Sequence, residues 1–304
     1  MVVPESRVFY AFDPSLEPAA FAKPGDLVVF HTLDALGGQV KSEEDLVTAV
    51  DFSRVNPATG PLYVEGAEPG DALVVKLLSI ETSEQGFVVT APGAGALPDL
   101  VKKARTRRCT VREGFVEFLG YRLPAWKMVG VIGVATSEKA PTGVPGRHGG
   151  NLDTKFVTEG ATVYLPVEHP GALLGVGDLH ALMAHGEVCV AACEVSGRVT
   201  ALVDVARGLA PAWPLVDYGD SLYVLVSSED VSGAIRGAVE ASVEALSRAL
   251  GLEWHDAYML ASLAVDIGVS QLVDPRKTAW ARIPKQLAPP SRVLRALAEL
   301  RNSL

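Results

Sequence analysis

The chain has 304 residues, 48% hydrophobic and 21% charged, with a net charge of −9 and a pI near 5.2. That balance excludes nucleic acid or an anionic membrane as the main partner, since both need a basic face, and no run of about 18 uncharged apolar residues offers a spanning helix. Met1 to Asp13 lacks the basic start and apolar block of a secretory signal, so a soluble cytoplasmic protein of about two domains, or one large β-rich unit, is expected.

Along the chain a turn-then-strand unit recurs. Pro24-Gly25-Asp26 precedes Leu27 to Phe30, Pro69-Gly70-Asp71 precedes Ala72 to Val75, Gly177-Asp178 precedes Leu179-His180, and Gly219-Asp220 precedes Ser221 to Val226. Gly accepts positive φ and the Asp carboxylate accepts nearby backbone N–H groups, which suits tight turns. The Val- and Leu-rich runs that follow are of strand length. Phe87 to Thr90, Met128 to Ala135, Thr162 to Val167, Val188 to Val195 and Val199 to Asp204 read as further strands. Between them, Leu97 to Arg107 reads as a helical insertion whose Lys and Arg form a solvated face. After residue 230 the period changes. Ile235, Val239, Val243, Leu246 and Leu250 form a helical stripe that Ser232 can open and Gly251 can close. Shorter helices are predicted over Trp254 to Ile267 and Val293 to Leu300. The expected fold is mainly β (α+β): a β-sandwich or distorted barrel of short strands over 1–230, with a C-terminal helical block over 231–304 packed on it.

Three cysteines, Cys109, Cys189 and Cys193, do not make a disulfide framework. Four residues along a strand span about 13 Å, so Cys189 and Cys193 cannot bridge. All three are expected as small buried thiols, and the apolar neighbours of Cys189 and Cys193 disfavour a thiol nucleophile.

Six histidines are present, and some sit beside carboxylates. On a strand, Asp178 and His180 at i and i+2 share a face and can converge on one divalent ion or one water. His31 and Asp34 repeat the pairing. In Arg147-His148-Gly149-Gly150-Asn151-Leu152-Asp153, the paired glycines would let backbone N–H groups approach an oxyanion closely. Each of these segments also reads as an ordinary turn or polar loop. Glu65, Glu187 and Glu194 are carboxylates suited to metal ligation or general-base work. Serine-elbow, phosphate-loop, dinucleotide and His-Glu-x-x-His signatures are missing.

Several ordered motifs resemble the acetamidase/formamidase family. They are Asn56-Pro57-Ala58-Thr59-Gly60-Pro61-Leu62-Tyr63-Val64-Glu65-Gly66-Ala67-Glu68-Pro69-Gly70-Asp71, Gly149-Gly150-Asn151-Leu152-Asp153, Pro170 to Ala181 with its Gly177-Asp178-Leu179-His180, Ala257 to Ile267, and Ile283-Pro284-Lys285. The resemblance runs from about Val8 to Lys285. It implies hydrolysis of a short linear amide (formamide- or acetamide-like) to ammonia and a carboxylate, on a β-rich fold with bound divalent metal. On this chain it places metal ligation on His31, Asp34, Asp153, Asp178 and His180, and catalysis on Glu65 or Glu187. Gly149, Gly150 and Asn151 would face the oxyanion. Mixed imidazole and carboxylate ligation suits Zn²⁺, while a carboxylate subsite suits Ca²⁺ or Mg²⁺. Family members commonly carry Gly-Asp-Gly-Glu where this chain has Ala184-His185-Gly186-Glu187. That departure leaves a second reading open: a metal-binding, catalytically altered protein that holds a small molecule. The partners expected are a small amide and a second copy of the chain, paired as a homodimer through the C-terminal helices.

Overall fold

A computed structural model describes residues 1–302; positions 303 and 304 of the expected helical block lie outside the described residues. The strands assemble into a nine-stranded and an eleven-stranded sheet, neither closed into a barrel. In the first, Leu27–Thr32, Gly197–Ala206, Ala72–Thr82, Thr162–Pro166, Leu215–Tyr218, Ser221–Ser228, Lys277–Pro284 and Asp266–Gln271 follow one another as antiparallel neighbours. In the second, the path from Gln85–Thr90 to Gly149–Asn151 passes through Glu194–Val195, Leu174–His180 and Met128–Gly133.

The strands bury alternate faces against different partners. Along Ser221–Ser228, Tyr223 and Leu225 enter the core between the sheets, beside Val129, Ile132, Val176 and Leu179. Leu222, Val224 and Val226 point the other way, against the helices. Both faces are covered, so the strand reads as a continuous apolar run. The helices are α1 (Val231–Leu250), α2 (Trp254–Ala264) and α3 (Pro290–Arg301). Asp230, not Ser232, caps α1 by accepting the Gly233 N–H at 2.7 Å, and Gly251 ends it in the left-handed region. Leu246 and Ala238 on α1 pack with Val293 and Leu297 on α3 against the sheet.

Several expectations change. Residues 97–104 are irregular and Arg105–Arg112 is a strand, so the helical insertion near 97–107 is not formed. Lys102 and Lys103 fall in the irregular stretch, and Arg105, Arg107 and Arg108 sit on the strand, paired antiparallel with Gln85–Thr90, instead of lining a helix face. Val188 to Cys193 is loop, with only Glu194–Val195 in strand. The second helix stops at Ala264 because the β-rich sequence from Asp266 pairs with Lys277–Pro284. Of the four Gly-Asp pairs, those at 25–26, 70–71 and 219–220 are turns with Gly at positive φ. Gly177-Asp178 instead lies inside Leu174–His180, where a Cβ on Gly177 would stand 2.1 Å from the Pro57 carbonyl oxygen.

Cys109 and Cys193 form a disulfide, with Cα atoms 6.5 Å apart, and Cys189 is free. Local spacing could not show this pairing, which joins residues 84 positions apart. It crosses Gly86 on the intervening strand, where a Cβ would lie 3.1 Å from the Cys109 sulfur and 2.5 Å from the Glu194 carbonyl oxygen.

Candidate metal centre

The eleven-stranded sheet gathers carboxylates from distant segments around one imidazole. Asp178 and His180 come from Leu174–His180, and Glu194 faces His180 across the ladder. Asp153 follows Gly149–Asn151, whose continuation is tied in by the Leu152 N–H donating to the Gly130 carbonyl at 3.0 Å. Glu187 sits on a loop pinned to the C-terminal hairpin by Gly186 N–H to Ser270 C=O (2.7 Å) and Leu272 N–H to Gly186 C=O (3.1 Å). Asp274 comes from the turn of that hairpin and accepts the Asn151 side-chain N–H at 2.9 Å.

Nε2 of His180 stands 3.2 Å from Asp178 Oδ1, 3.2 Å from Glu194 Oε2, 3.6 Å from Asp153 Oδ1 and 4.0 Å from Glu187 Oε1. All five side chains are buried. Two donor groups result, Asp153/His180/Glu187 and Asp178/His180/Glu194, each with its ligand atoms within 4.8 Å of one another. Asp153, Asp178 and Glu187 hold φ of +38°, +54° and +46°. Asp tolerates this region better than most residues, but for Glu187 it is a strained setting of the kind that clusters at functional sites.

Electrostatics make the group anomalous as it stands. Two unit charges 4 Å apart at an effective dielectric of 20 interact with about 4 kcal/mol, so these carboxylates cannot all ionise beside one imidazole without help. Burial, followed by the Asp178 charge, pushes Asp153 up to about 7. Burial takes Glu194 up to about 8, although the His180 charge pulls it down by more than the Asp178 charge adds. Glu187 and Asp274 lie well above the carboxylate range, through burial first and then the Asp153 charge. Burial pulls the His180 imidazole down, but Glu194 and Asp178 together outweigh it and hold it well above its ordinary value. Asp153 Oδ1, Asp178 Oδ1, Glu187 Oε2, Glu194 Oε2, Asn151 Oδ1 and His180 Nδ1 are all buried without a hydrogen-bond partner. Orphaned acceptors of this kind are rare in folded proteins. Together with an imidazole, this donor set fits a divalent cation.

Space for these acids is kept by Gly130. A Cβ there would lie 2.4 Å from Asp153 Oδ1 and 2.8 Å from Asp178 Oδ2. Gly130→Ala is expected to destabilise the fold by about 1–3 kcal/mol and to lower retained metal. Thermal melting and elemental analysis check this; wild-type values for both would contradict it.

The sequence-derived residues fall unevenly. Asp153, Asp178, His180 and Glu187 meet at the centre, and Asn151 lies beside them through Asp274. Asp34 is close enough to feel the Asp178 charge; its carboxylate, raised chiefly by burial, accepts the N–H groups of Leu36 and Gly38. It shapes a loop at the rim. His31 lies elsewhere, lining a surface recess with Glu5, Glu81 and Arg198, because its strand belongs to the other sheet. Glu65 is exposed in the turn after Ala58–Val64, outside the centre. Gly149 and Gly150 act first as packing residues. The Gly149 N–H donates to Gly146, and Cβ atoms would lie 2.1 Å from Ile132 O and 2.5 Å from Val144 O. His185 packs with Phe156 and Trp280, ring centroids 5.2 and 5.5 Å away, and takes no place among the clustered acids. Asp274 was not foreseen; its one signal is the Asp274-Pro275 turn between two apolar runs.

A model of the acetamidase/formamidase family matches residues 4–143 and 136–217. The chain is 27% identical over 266 residues to a formamidase of Methylophilus methylotrophus, covering 67% of this chain and 64% of that one. It is 26% identical over 263 residues to an acetamidase of Mycolicibacterium smegmatis, covering 64% of this chain and 65% of that one. The curated relatives are thus matched over 61% to 65% of their length. Among solved structures, an acetamidase from Bacillus halodurans superposes with a TM-score of 0.91 at 39% identity, covering 94% of this chain and 98% of that one.

Proposed function

The chain belongs to the acetamidase/formamidase family, and from that premise we propose that it hydrolyses a short linear amide to ammonia and a carboxylate with the aid of a divalent metal. The observation that carries this reading is the buried convergence of His180 with Asp153, Asp178, Glu187 and Glu194, whose partnerless oxygens suit a cation. His180 with Asp178 and Glu194, or with Asp153 and Glu187, would hold the ion. The imidazole in either set favours Zn²⁺, and the surplus of carboxylates also suits Ca²⁺ or Mg²⁺. When bound, such an ion supplies Lewis acidity, polarising an amide carbonyl and acidifying water.

The chain's own groups do the rest. Asn151, with its Nδ2 on Asp274 and its Oδ1 unpartnered, orients the amide head. With the ion held by Asp178, His180 and Glu194, Glu187 is left free as the general base, since Glu65 is exposed and outside the centre. It takes a proton from the attacking water and returns it to the departing nitrogen. Its raised affinity for a proton, caused by burial and Asp153, suits both transfers. His185 lies outside the donor set, so the Ala184-His185 departure removes no ligand from it, which supports turnover over a binding-only role.

Ammonia release from formamide, acetamide and propionamide tests the reading. Turnover that a chelator abolishes and an added divalent ion restores is expected; no release from any amide by fully metal-loaded protein would overturn it.

Among the described residues no helix is long and apolar enough to cross a membrane, and a cytoplasmic location is part of the proposal. So is a homodimer, supported by Trp254, Tyr258, Met259 and Leu263 left exposed on α2. Sedimentation showing only the 32.0 kDa species would reject the dimer.

A further inference from the structure

The centre opens into a recess of about 170 Å³ whose two sides differ in kind. Asn151, Asp178, Glu187, Glu194 and Asp274 form one side. Leu36, Val47, Phe52, Val55, Val190 and Ala191 form much of the other, and no Lys, Arg or His lines it. At ~30 Å³ for each water-sized group, the recess admits about six such groups, so formamide or acetamide leaves a large part of it unfilled.

The apolar side is preformed. Asp34 accepts the N–H groups of Leu36 and Gly38, Asn56 N–H donates to the Ala35 carbonyl at 2.7 Å, and Gln39 bridges the Leu36 carbonyl and the Asp51 N–H at 2.9 Å each. Leu36, Val47, Val89 and Ala191 also pack as a small core of their own. A wall fixed in this way gains affinity from each methylene that covers it, without first having to order itself.

We propose that this recess is an acyl pocket, and that the protein's preferred substrates are uncharged primary amides with a three- to four-carbon apolar acyl chain, with Leu36, Val55 and Ala191 among the residues that set the preference. The amide group faces Asn151 and Glu187, and the acyl chain runs along the wall. An acyl chain ending in a carboxylate is rejected, because its charge would be desolvated against the apolar wall, where no Lys, Arg or His lines the recess to pair it. This assignment rests on the amidohydrolase reading and specifies its substrate.

The test compares kcat/KM for formamide, acetamide, propionamide, butyramide and succinamate. A buried methylene contributes about 0.8 kcal/mol, or roughly fourfold, so a rise of about fourfold per carbon from acetamide to butyramide is expected, with succinamate unreacted. Ala94→Leu, at a half-buried position lining the recess, should cancel the rise, and Leu36→Ala should move the optimum to a longer chain. Thermal shifts with butyramide and acetamide at equal concentration give a readout independent of turnover, and butyramide should give the larger. A flat or falling series, a substrate ranking unmoved by both variants, or equal thermal shifts would overturn the acyl pocket while leaving amide hydrolysis standing. Absence of hydrolysis with every amide, accompanied by the larger butyramide shift, would instead overturn the hydrolase reading and keep the pocket.

Discussion

Asp178→Asn is expected to cut amide hydrolysis by at least about a hundredfold and, at the same time, to raise the melting temperature of the metal-stripped protein. Both effects have one cause. The Asp178 carboxylate lies 3.2 Å from His180 Nε2 and its charge raises the proton affinity of Asp153, Glu194 and Asp274. With a cation present that charge is an attraction; without one it is a repulsion in a buried place. Even outer-shell partners of metal sites typically contribute 10–100-fold to affinity or activity, so loss of a direct donor should cost no less. Asn is the replacement of choice because it keeps the volume and tolerates the +54° φ at this position. Ammonia assays and melting curves, each with and without chelator, decide the matter. A variant that loses stability in the stripped form as well as activity would show that Asp178 is held by contacts the charge argument omits.

The second large effect is on pH. In the metal-free protein Asp153 titrates near 7 and Glu194 near 8, both above the ordinary carboxylate range, so the folded state binds more protons than the unfolded chain across that interval. The stability these two groups contribute is then fully present below about pH 4 and is lost as pH rises through 7 and 8. The loss amounts to several kcal/mol on the order set by ~1.4 kcal/mol per pKa unit. Stripped protein should therefore melt several degrees lower at pH 9 than at pH 5, and a bound divalent ion should flatten the dependence by favouring the ionised carboxylates. A melting temperature that rises with pH in the absence of metal would contradict the charge assignment.

Much of the architecture was legible because it rests on local chemistry. The strand runs after Pro24-Gly25-Asp26 and Gly219-Asp220 form where the turn and alternation place them, and α1 follows the stripe from Ile235 to Leu250. The same local grammar misreads Gly177-Asp178. There glycine is required by the approach of Pro57 and not by a turn, and the aspartate serves the centre. Long-range pairings left little trace. Cys109 and Cys193 meet only because the strand of Cys109 and the loop that leads into Glu194–Val195 flank Gly86, and Asp274 reaches the acids only because the hairpin after α2 adds to the nine-stranded sheet and pins the Glu187 loop. His31 and Glu65 show the converse: residue types suited to the chemistry, on strands or turns that face elsewhere. The family resemblance conveyed the fold and the Asp153, Asp178, His180 and Glu187 positions. It could not say which acids share one cavity.

Elemental analysis of the purified protein, paired with anomalous scattering from crystals, tests whether the buried acids around His180 hold a divalent ion. At least one divalent ion per chain is expected, within bonding distance of His180 Nε2 and of carboxylate oxygens from the pair Asp178/Glu194 or Asp153/Glu187, and it should be lost in Asp178→Asn. Protein that is active on amides after exhaustive chelation, with no anomalous peak beside His180 when soaked in Zn²⁺, would contradict that expectation.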